Sequence, residues 1–256
     1  VGHFNAYIQI VILVFMVLAG TNFNLFFVLK RRGIRTFLQD EELRFYLMVM
    51  GAASLAVFAC NQLNTHFKNT AGSLLDSAFQ VVSIMTTTGY ATADYDLWPT
   101  FSRMIIFCLF FFGGCSSSTS GGIKCVRVLV CLKLVRRSVS LRLHPNRIAP
   151  ITLNDNEVSS EVVINITNFV FTYIAVIFAG TLLLSLDNLD FITTFSAAAT
   201  CVGNIGPGFG AVGPVDNFGG LSVLSKYLLS IYMLAGRLEL YTLFIILTPR
   251  FWNPDR

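Results

Sequence analysis

LLDSAFQVVSIMTTTGYATADYDLWP, residues 74–99, decides how the rest of the chain is read. An apolar stretch too short to cross a bilayer as a helix runs into Thr86-Thr87-Thr88-Gly89-Tyr90 and then into a polar, acidic segment. Uncharged stretches of membrane length flank it on both sides. Non-helical backbone at membrane depth is tolerated only where protein buries it or where it lines a water-filled path. A short helix that dips in and returns through a Thr/Gly strand is the form expected of an ion selectivity filter, in which carbonyl oxygens replace part of a cation's water shell. Those carbonyls would belong to Thr87, Thr88 and Gly89, and Gly89 permits backbone angles that a Cβ resists. The competing reading is an ordinary glycine turn between a short helix and a loop.

Composition supports a membrane setting. Of 256 residues, 54% are hydrophobic, 24 are Phe and only 12% are charged, against roughly 25% charge in a soluble domain. Spanning a hydrocarbon core takes about 20 apolar residues as a helix. Stretches of that length lie at Phe4–Leu29, Phe45–Thr65, Met104–Ile123 and Val162–Leu186, and a fifth at Tyr227–Pro249 is interrupted only by Arg237 and Glu239. The prediction is an all-α integral membrane protein with five spans and two pore loops. VGHFN leads straight into the first span with no initiator Met, basic n-region or cleavage motif, so no signal peptide is expected. The chain is expected to begin inside a longer protein.

Cys60, Cys108, Cys115, Cys125, Cys131 and Cys201 form no CxxC pair and lie mostly in apolar runs, as expected of reduced, packed thiols. His3, His66 and His144 are scattered, which disfavours a metal or catalytic cluster.

Charge predicts the orientation. Lys30, Arg31, Arg32, Arg35 and Arg44 fall between the first two spans. Lys124, Arg127, Lys133, Arg136, Arg137, Arg142 and Arg147 fall between the third and fourth, and Arg250 and Arg256 near the end. The positive-inside rule makes this side cytoplasmic. The opposite side carries Lys68, Arg103 and Lys226 with Asp94, Asp96, Asp187, Asp190 and Asp216. That acidic face either concentrates cations or is ordinary solvated charge. The basic segments abut spans and interleave no aromatic platform, so topology explains them and nucleic acid does not.

Three spans share a signature of bulky residues followed by small ones: Phe15-Met16-Val17-Leu18-Ala19-Gly20, Phe110-Phe111-Phe112-Gly113-Gly114 and Tyr232-Met233-Leu234-Ala235-Gly236. They read as the same helix in successive repeats, although small residues also let neighbouring helices approach. Asp190–Pro214 repeats the re-entrant pattern. A short apolar stretch, Phe191–Thr200, leads into Gly203-Asn204-Ile205-Gly206-Pro207-Gly208, whose Gly and Pro cannot continue a helix. The unit of span, short helix, filter strand and span thus occurs twice. The predicted segments are 1–29, the closing helix of an earlier unit; 30–44, a cytoplasmic loop; 45–137, a full unit; 138–157, a second cytoplasmic loop; and 158–250, a second full unit. Closing a ring around an ion takes about four such strands, so the complete protein should hold roughly twice as many.

Within the third span, Gly113–Gly122 reads GGCSSSTSGG: Gly113, Gly114, Cys115, Ser116, Ser117, Ser118, Thr119, Ser120, Gly121 and Gly122. Its glycines disfavour a continuous helix. It lacks the Gly-Lys-Ser/Thr ending of a phosphate loop and a His or acid to activate a serine, which leaves a tight helix-packing seam as the alternative to an irregular loop. Lys124 at its end either anchors it or snorkels. Arg237 in the fifth span is costly at membrane depth and needs a cavity or a partner. Glu239 lies on a different side of the helix, so an ion pair with another helix is one solution.

SIMTTTGYAT (83–92), GGCSSSTSGGIKCVRV (113–128), NIGPGFG (204–210) and LAGRLELYTL (234–243), with TPRFW near the end, together resemble the Trk/Ktr/HKT superfamily of potassium transporters, most closely its bacterial TrkH-type subunits. The resemblance implies four M1–P–M2 units (helix, re-entrant pore loop, helix) around one pore. This chain would supply the last helix of the second unit and all of the third and fourth. It implies K+ as the transported ion, held by the backbone carbonyls of Thr87, Thr88, Gly89, Asn204, Ile205 and Gly206, with Gly89 favouring potassium over sodium. Gly206 is then the second filter glycine, with Gly203 the alternative register. It further implies that Gly113–Gly122 gates the pore from within the membrane and that Arg237 faces the pore, where it would form an electrostatic barrier. A homodimer and a cytosolic nucleotide-binding regulatory subunit of the TrkA kind are implied as partners, with no cofactor, in a bacterial inner membrane.

An alternating-access cation symporter also uses repeats and broken helices, but usually inverted ones, and here both units run in the same direction by charge. A membrane-embedded enzyme would need a cluster of catalytic side chains at membrane depth, and none is present. A fragment inactive without the missing half of the pore is the remaining alternative.

Overall fold

The computed structural model describes residues 1–64, 70–146 and 149–252, without the side chains of 70, 244, 247 and 250. His66, Lys68, Arg147 and Arg256 lie outside the described residues.

The chain is an all-α membrane protein built from two copies of one motif, preceded by a bent pair of helices. The lead-in is α1 (Ala6–Ala19) and α2 (Phe23–Arg32), which bend by 88° at the break between them. A short α3 (Ile34–Gln39) follows. The first complete unit is α4 (Glu41–Leu63), the short α5 (Thr70–Met85), and α6 (Thr100–Leu109) continued after a gap by α7 (Cys125–Leu143). A two-residue hairpin, β1 (Thr152–Leu153) and β2 (Asn156–Glu157), leads to the second unit. That unit is α8 (Ser160–Leu184), the short α9 (Phe191–Gly203), then α10 (Val223–Arg237) and α11 (Leu240–Leu247), with α12 (Pro249–Trp252) at the end.

Only α4 and α8, among the described residues, are unbroken helices long and apolar enough to cross a membrane. The other three spans expected from the sequence are interrupted, and each interruption lies within or just after the repeated small-residue signature. The first breaks at Gly20–Asn22, the second from Phe110 to Lys124, the third at Leu238–Glu239. The cause is close approach. A Cβ on Gly20 would strike the Tyr46 hydroxyl, one on Gly114 would lie 2.6 Å from the Gly20 carbonyl, and one on Gly236 would strike the Val202 carbonyl. Segment 30–44, expected to be a loop, is largely helical, because α2 runs on through Lys30-Arg31-Arg32 and α3 follows after Gly33 (φ +83°).

Each unit has its own core. Tyr46, Met50, Val57, Phe79, Ile84 and Ile106 pack within the first unit, and Tyr173, Ile177, Ala198, Val202, Leu229 and Tyr232 within the second. Ile205 and Phe209 cross over into the first core, where the Phe209 ring lies edge-on to Tyr95 at 5.3 Å and tilted against Phe110 at 5.2 Å between centroids. Apolar side chains on the outer faces, such as Phe15, Phe171 and Leu182, are exposed, as lipid-facing residues must be.

Candidate functional site

The two short helices end in the same way. At the end of α5, Thr87 adopts a left-handed conformation (φ 54°), Thr88 N–H donates to the Ser83 carbonyl (2.9 Å), and Gly89 has φ 76°. At the end of α9, Asn204 is left-handed (φ 56°), Ile205 N–H donates to the Thr200 carbonyl (2.9 Å), and Gly206 has φ 104°. Residue for residue, Thr86 corresponds to Gly203, Thr87 to Asn204, Thr88 to Ile205 and Gly89 to Gly206. Of the two glycines the sequence leaves open, Gly203 is the last helical residue and Gly206 takes the position of Gly89.

The two turns touch. A Cβ on Gly89 would run into the Ile205 carbonyl and lie 3.1 Å from the Pro207 ring. Among the described residues, no N–H or hydroxyl donates to the carbonyls of Thr87, Thr88, Gly89, Asn204, Ile205 or Gly206. Ile205 is buried and the other five residues are half-buried, so two adjoining turns present six carbonyls left free as acceptors by the described residues, where most backbone carbonyls in a folded protein are paired. The negative ends of both short helices lie here as well. Side chains brace each turn from behind. The Ser83 hydroxyl donates to the Tyr90 carbonyl (2.6 Å), Gln80 Nε2 to the Ala93 carbonyl (2.9 Å), and Thr86 and Thr88 share a hydroxyl contact (2.8 Å). In the second turn Phe209 N–H donates to Ser196 Oγ (2.9 Å) and Ala211 N–H to Thr193 Oγ1 (3.1 Å). Two residues that follow the first turn join the units: the Tyr95 hydroxyl donates to the Gly208 carbonyl (2.9 Å), and Asp96 accepts from Gly210 N–H (2.8 Å). Burial pushes the Asp96 carboxyl above its ordinary range, while the Gly210 N–H and Arg103 oppose that shift.

Gly113–Gly122 is an irregular loop and not a packed helical seam. Its two ends meet, with Gly113 N–H donating to the Ile123 carbonyl (2.8 Å) and Cys125 N–H to the Gly114 carbonyl (3.0 Å). Inside, Gly114 N–H donates to Ser120 Oγ (2.8 Å), and Ser118 Oγ to the Cys115 carbonyl (2.5 Å). Ser117 and Gly122 have positive φ (53° and 66°). The loop reaches outward in three directions. Toward the α1–α2 break, Cys115 N–H donates to the Gly20 carbonyl (2.8 Å) and Phe23 N–H donates to the Ser117 carbonyl (3.2 Å). Toward the first turn, Gly121 N–H donates to Thr87 Oγ1 (2.7 Å). Toward the α10–α11 break, Arg237 donates to the Thr119 carbonyl (2.6 Å).

Arg237 therefore meets the loop and not a carboxylate. Glu239, held at φ 60°, instead pairs with Arg127 (2.8 Å), whose guanidinium lies 3.8 Å over the Phe169 ring. Lys124 donates to the Ser120 carbonyl, so it anchors the loop. Ser118, Ser120, Gly121, Lys124, Arg237 and Glu239 line one cavity of about 280 Å³. The structure thus gathers the loop and both of its predicted cations at one level, next to the first turn.

The sequence did not reveal Glu42. It is 4% exposed, and its carboxylate accepts from Ser116 N–H and Ser116 Oγ (both 2.6 Å) and from Val126 N–H (3.1 Å). Acidic residues in a first helical turn are ordinary, and nothing in Asp40-Glu41-Glu42 marks which of them turns inward. The described residues include no group of three or more His, Cys, Asp or Glu that could hold a metal ion.

Residues 1–252 match the TrkH family model, described as a cation transport protein. The chain is 34% identical over 99% of its length to the Trk system potassium uptake protein TrkG of Escherichia coli (strain K12), covering 52% of that protein. It is 35% identical over 93% of its length to TrkI of Halomonas elongata, covering 48% of that protein. The crystal structure of the potassium transporter TrkH from Vibrio parahaemolyticus superposes with a TM-score of 0.90 at 30% identity, over 98% of this chain and 54% of that one. The chain spans about half the length of the curated relatives it matches. It belongs to the TrkH family of cation transport proteins.

Proposed function

We propose that the chain forms half of a potassium-conducting pore in a bacterial inner membrane, its two turns supplying two of about four filter strands. The observation that carries this reading is the pair of adjoining turns with six carbonyls that no donor among the described residues meets. A dehydrated monovalent cation is what such oxygens would hold. The carbonyls of Thr87, Thr88, Gly89, Asn204, Ile205 and Gly206 bind K+, and two further units of the same kind complete the ring. The relatives TrkG and TrkI are Trk system potassium uptake proteins, which agrees with this cargo.

Below the turns, Gly113–Gly122 obstructs the passage and moves to open it. Arg237 adds a positive barrier at the same level. The loop's supports favour gating: hydrogen bonds to neighbouring segments hold it, and it carries few large apolar side chains of its own. The basic segments around Lys30–Arg35 and Lys133–Arg142 face the cytoplasm. They are the docking surface for a cytosolic nucleotide-binding subunit, and the complete protein works as a homodimer.

Rubidium uptake into vesicles carrying the complete protein tests this. Deleting Ser116–Thr119 should raise uptake several-fold, and Arg237→Ala should raise it less. Unchanged or lower uptake from a correctly folded deletion variant contradicts the gate, and absence of rubidium uptake by the unaltered protein contradicts the cargo.

A further inference from the structure

We infer that Glu42 is the latch that holds the intramembrane loop shut. This rests on the gating role proposed for Gly113–Gly122, but its test does not depend on ion flux. The carboxylate sits in the first turn of α4 and is almost fully buried. One oxygen accepts from Ser116 N–H and Val126 N–H, and the other from Ser116 Oγ. Among the described residues it forms no ion pair. A buried carboxylate with no cation is costly unless donors compensate it. Here the donors come from the loop and from the start of α7, where the helix dipole favours negative charge. Bonds to an ionised acceptor are the strong ones, so Ser116 is the most firmly held point on the loop.

The neighbouring acids do different work. Asp40 caps α4 through Leu43 N–H (2.8 Å) and accepts from Asn154 of the hairpin (2.7 Å). Glu41 pairs with Lys133 of α7. The helix turn that carries Glu42 is thereby fastened to the hairpin and to α7, and only Glu42 reaches the loop. Release of the loop needs the two Ser116 bonds to break, while the Val126 bond can persist and keep the carboxylate solvated by one donor.

Cys115, next to Ser116, is fully buried, as is Cys201 in the second short helix. Cys115 is therefore a native reporter of loop release, and Cys201 of general loosening. In the complete protein, a small water-soluble thiol reagent followed by mass spectrometry of each cysteine should show Cys115 modified roughly tenfold faster in Glu42→Ala, which removes both acceptor oxygens facing Ser116. Ser116→Ala should give a smaller acceleration of the same kind, and Cys201 should stay protected in both. Cys115 protected as in the unaltered protein would overturn the inference. So would equal acceleration at Cys115 and Cys201, which would make Glu42 a general stabiliser of the fold.

Discussion

The turn after α5 and the turn after α9 share a backbone and almost no sequence. Thr86-Thr87-Thr88-Gly89 and Gly203-Asn204-Ile205-Gly206 have the same left-handed residue, the same five-residue hydrogen bond and the same positive-φ glycine. Their surroundings differ. Gly89 is wedged against the Ile205 carbonyl and Pro207, whereas a Cβ on Gly206 would meet nothing within 4 Å. Thr87 holds the loop through its hydroxyl, and Asn204, at the matching position, has an amide nitrogen with no hydrogen-bond partner among the described residues. Backbone geometry is the common requirement, and side chains assign the turns different supporting roles.

That contrast can be broken experimentally in the complete protein. Gly89→Ala should have the largest effect. It combines left-handed strain of about 1–2 kcal/mol with a collision against backbone, and selectivity for potassium over sodium should fall by at least about tenfold, the equivalent of 1.4 kcal/mol. Gly206→Ala meets only the strain, and a smaller loss of selectivity is expected from the same flux ratio. Equal losses would show that the contact between the turns does not matter.

Thr87→Val comes next. It keeps the branched side chain and leaves the Gly121 N–H without an acceptor, a cost of about 1–3 kcal/mol. Rubidium uptake should rise as the loop loosens, and unchanged uptake would show that the Gly121–Thr87 bond does not restrain the loop. The smallest effect concerns Asp190, the N-cap of α9, which accepts from Thr193 N–H (3.1 Å). Asp190→Ala should lower stability by about 1 kcal/mol. The Thr193 hydroxyl holds the Asp190 carboxyl below its ordinary value of 3.8. Its contribution is full above pH 3.8 and fades as pH falls through the lower folded value. Acid unfolding of Asp190→Asn should lose that component.

The sequence made the first turn legible because a Thr run ending in Gly after an apolar half-length segment has few other uses in a membrane. It left the second turn in two registers, since Gly203 and Gly206 both permit unusual angles; the hydrogen bond from Ile205 to Thr200, the helical Gly203 and the positive φ of Gly206 separate them. The small-residue signature was visible in all three broken spans, but an apolar run reads alike whether the helix is straight or bent. Asn22 was the one local cue at the first break, capping α2 through Asn24 N–H (2.9 Å). The Leu238–Glu239 break has no such cue, because Glu239 adopts its positive φ beside an Arg127 more than a hundred residues away in sequence. Glu42 was hidden for a similar reason: its partners Ser116 and Val126 come from a different part of the chain.

The most direct measurement is anomalous scattering from crystals of the complete protein grown with rubidium or thallium. A peak coordinated by the carbonyls of Thr87, Thr88 and Gly89 on one side and Asn204, Ile205 and Gly206 on another is the predicted result. Crystals with the cation bound elsewhere and no peak between these two turns would contradict it.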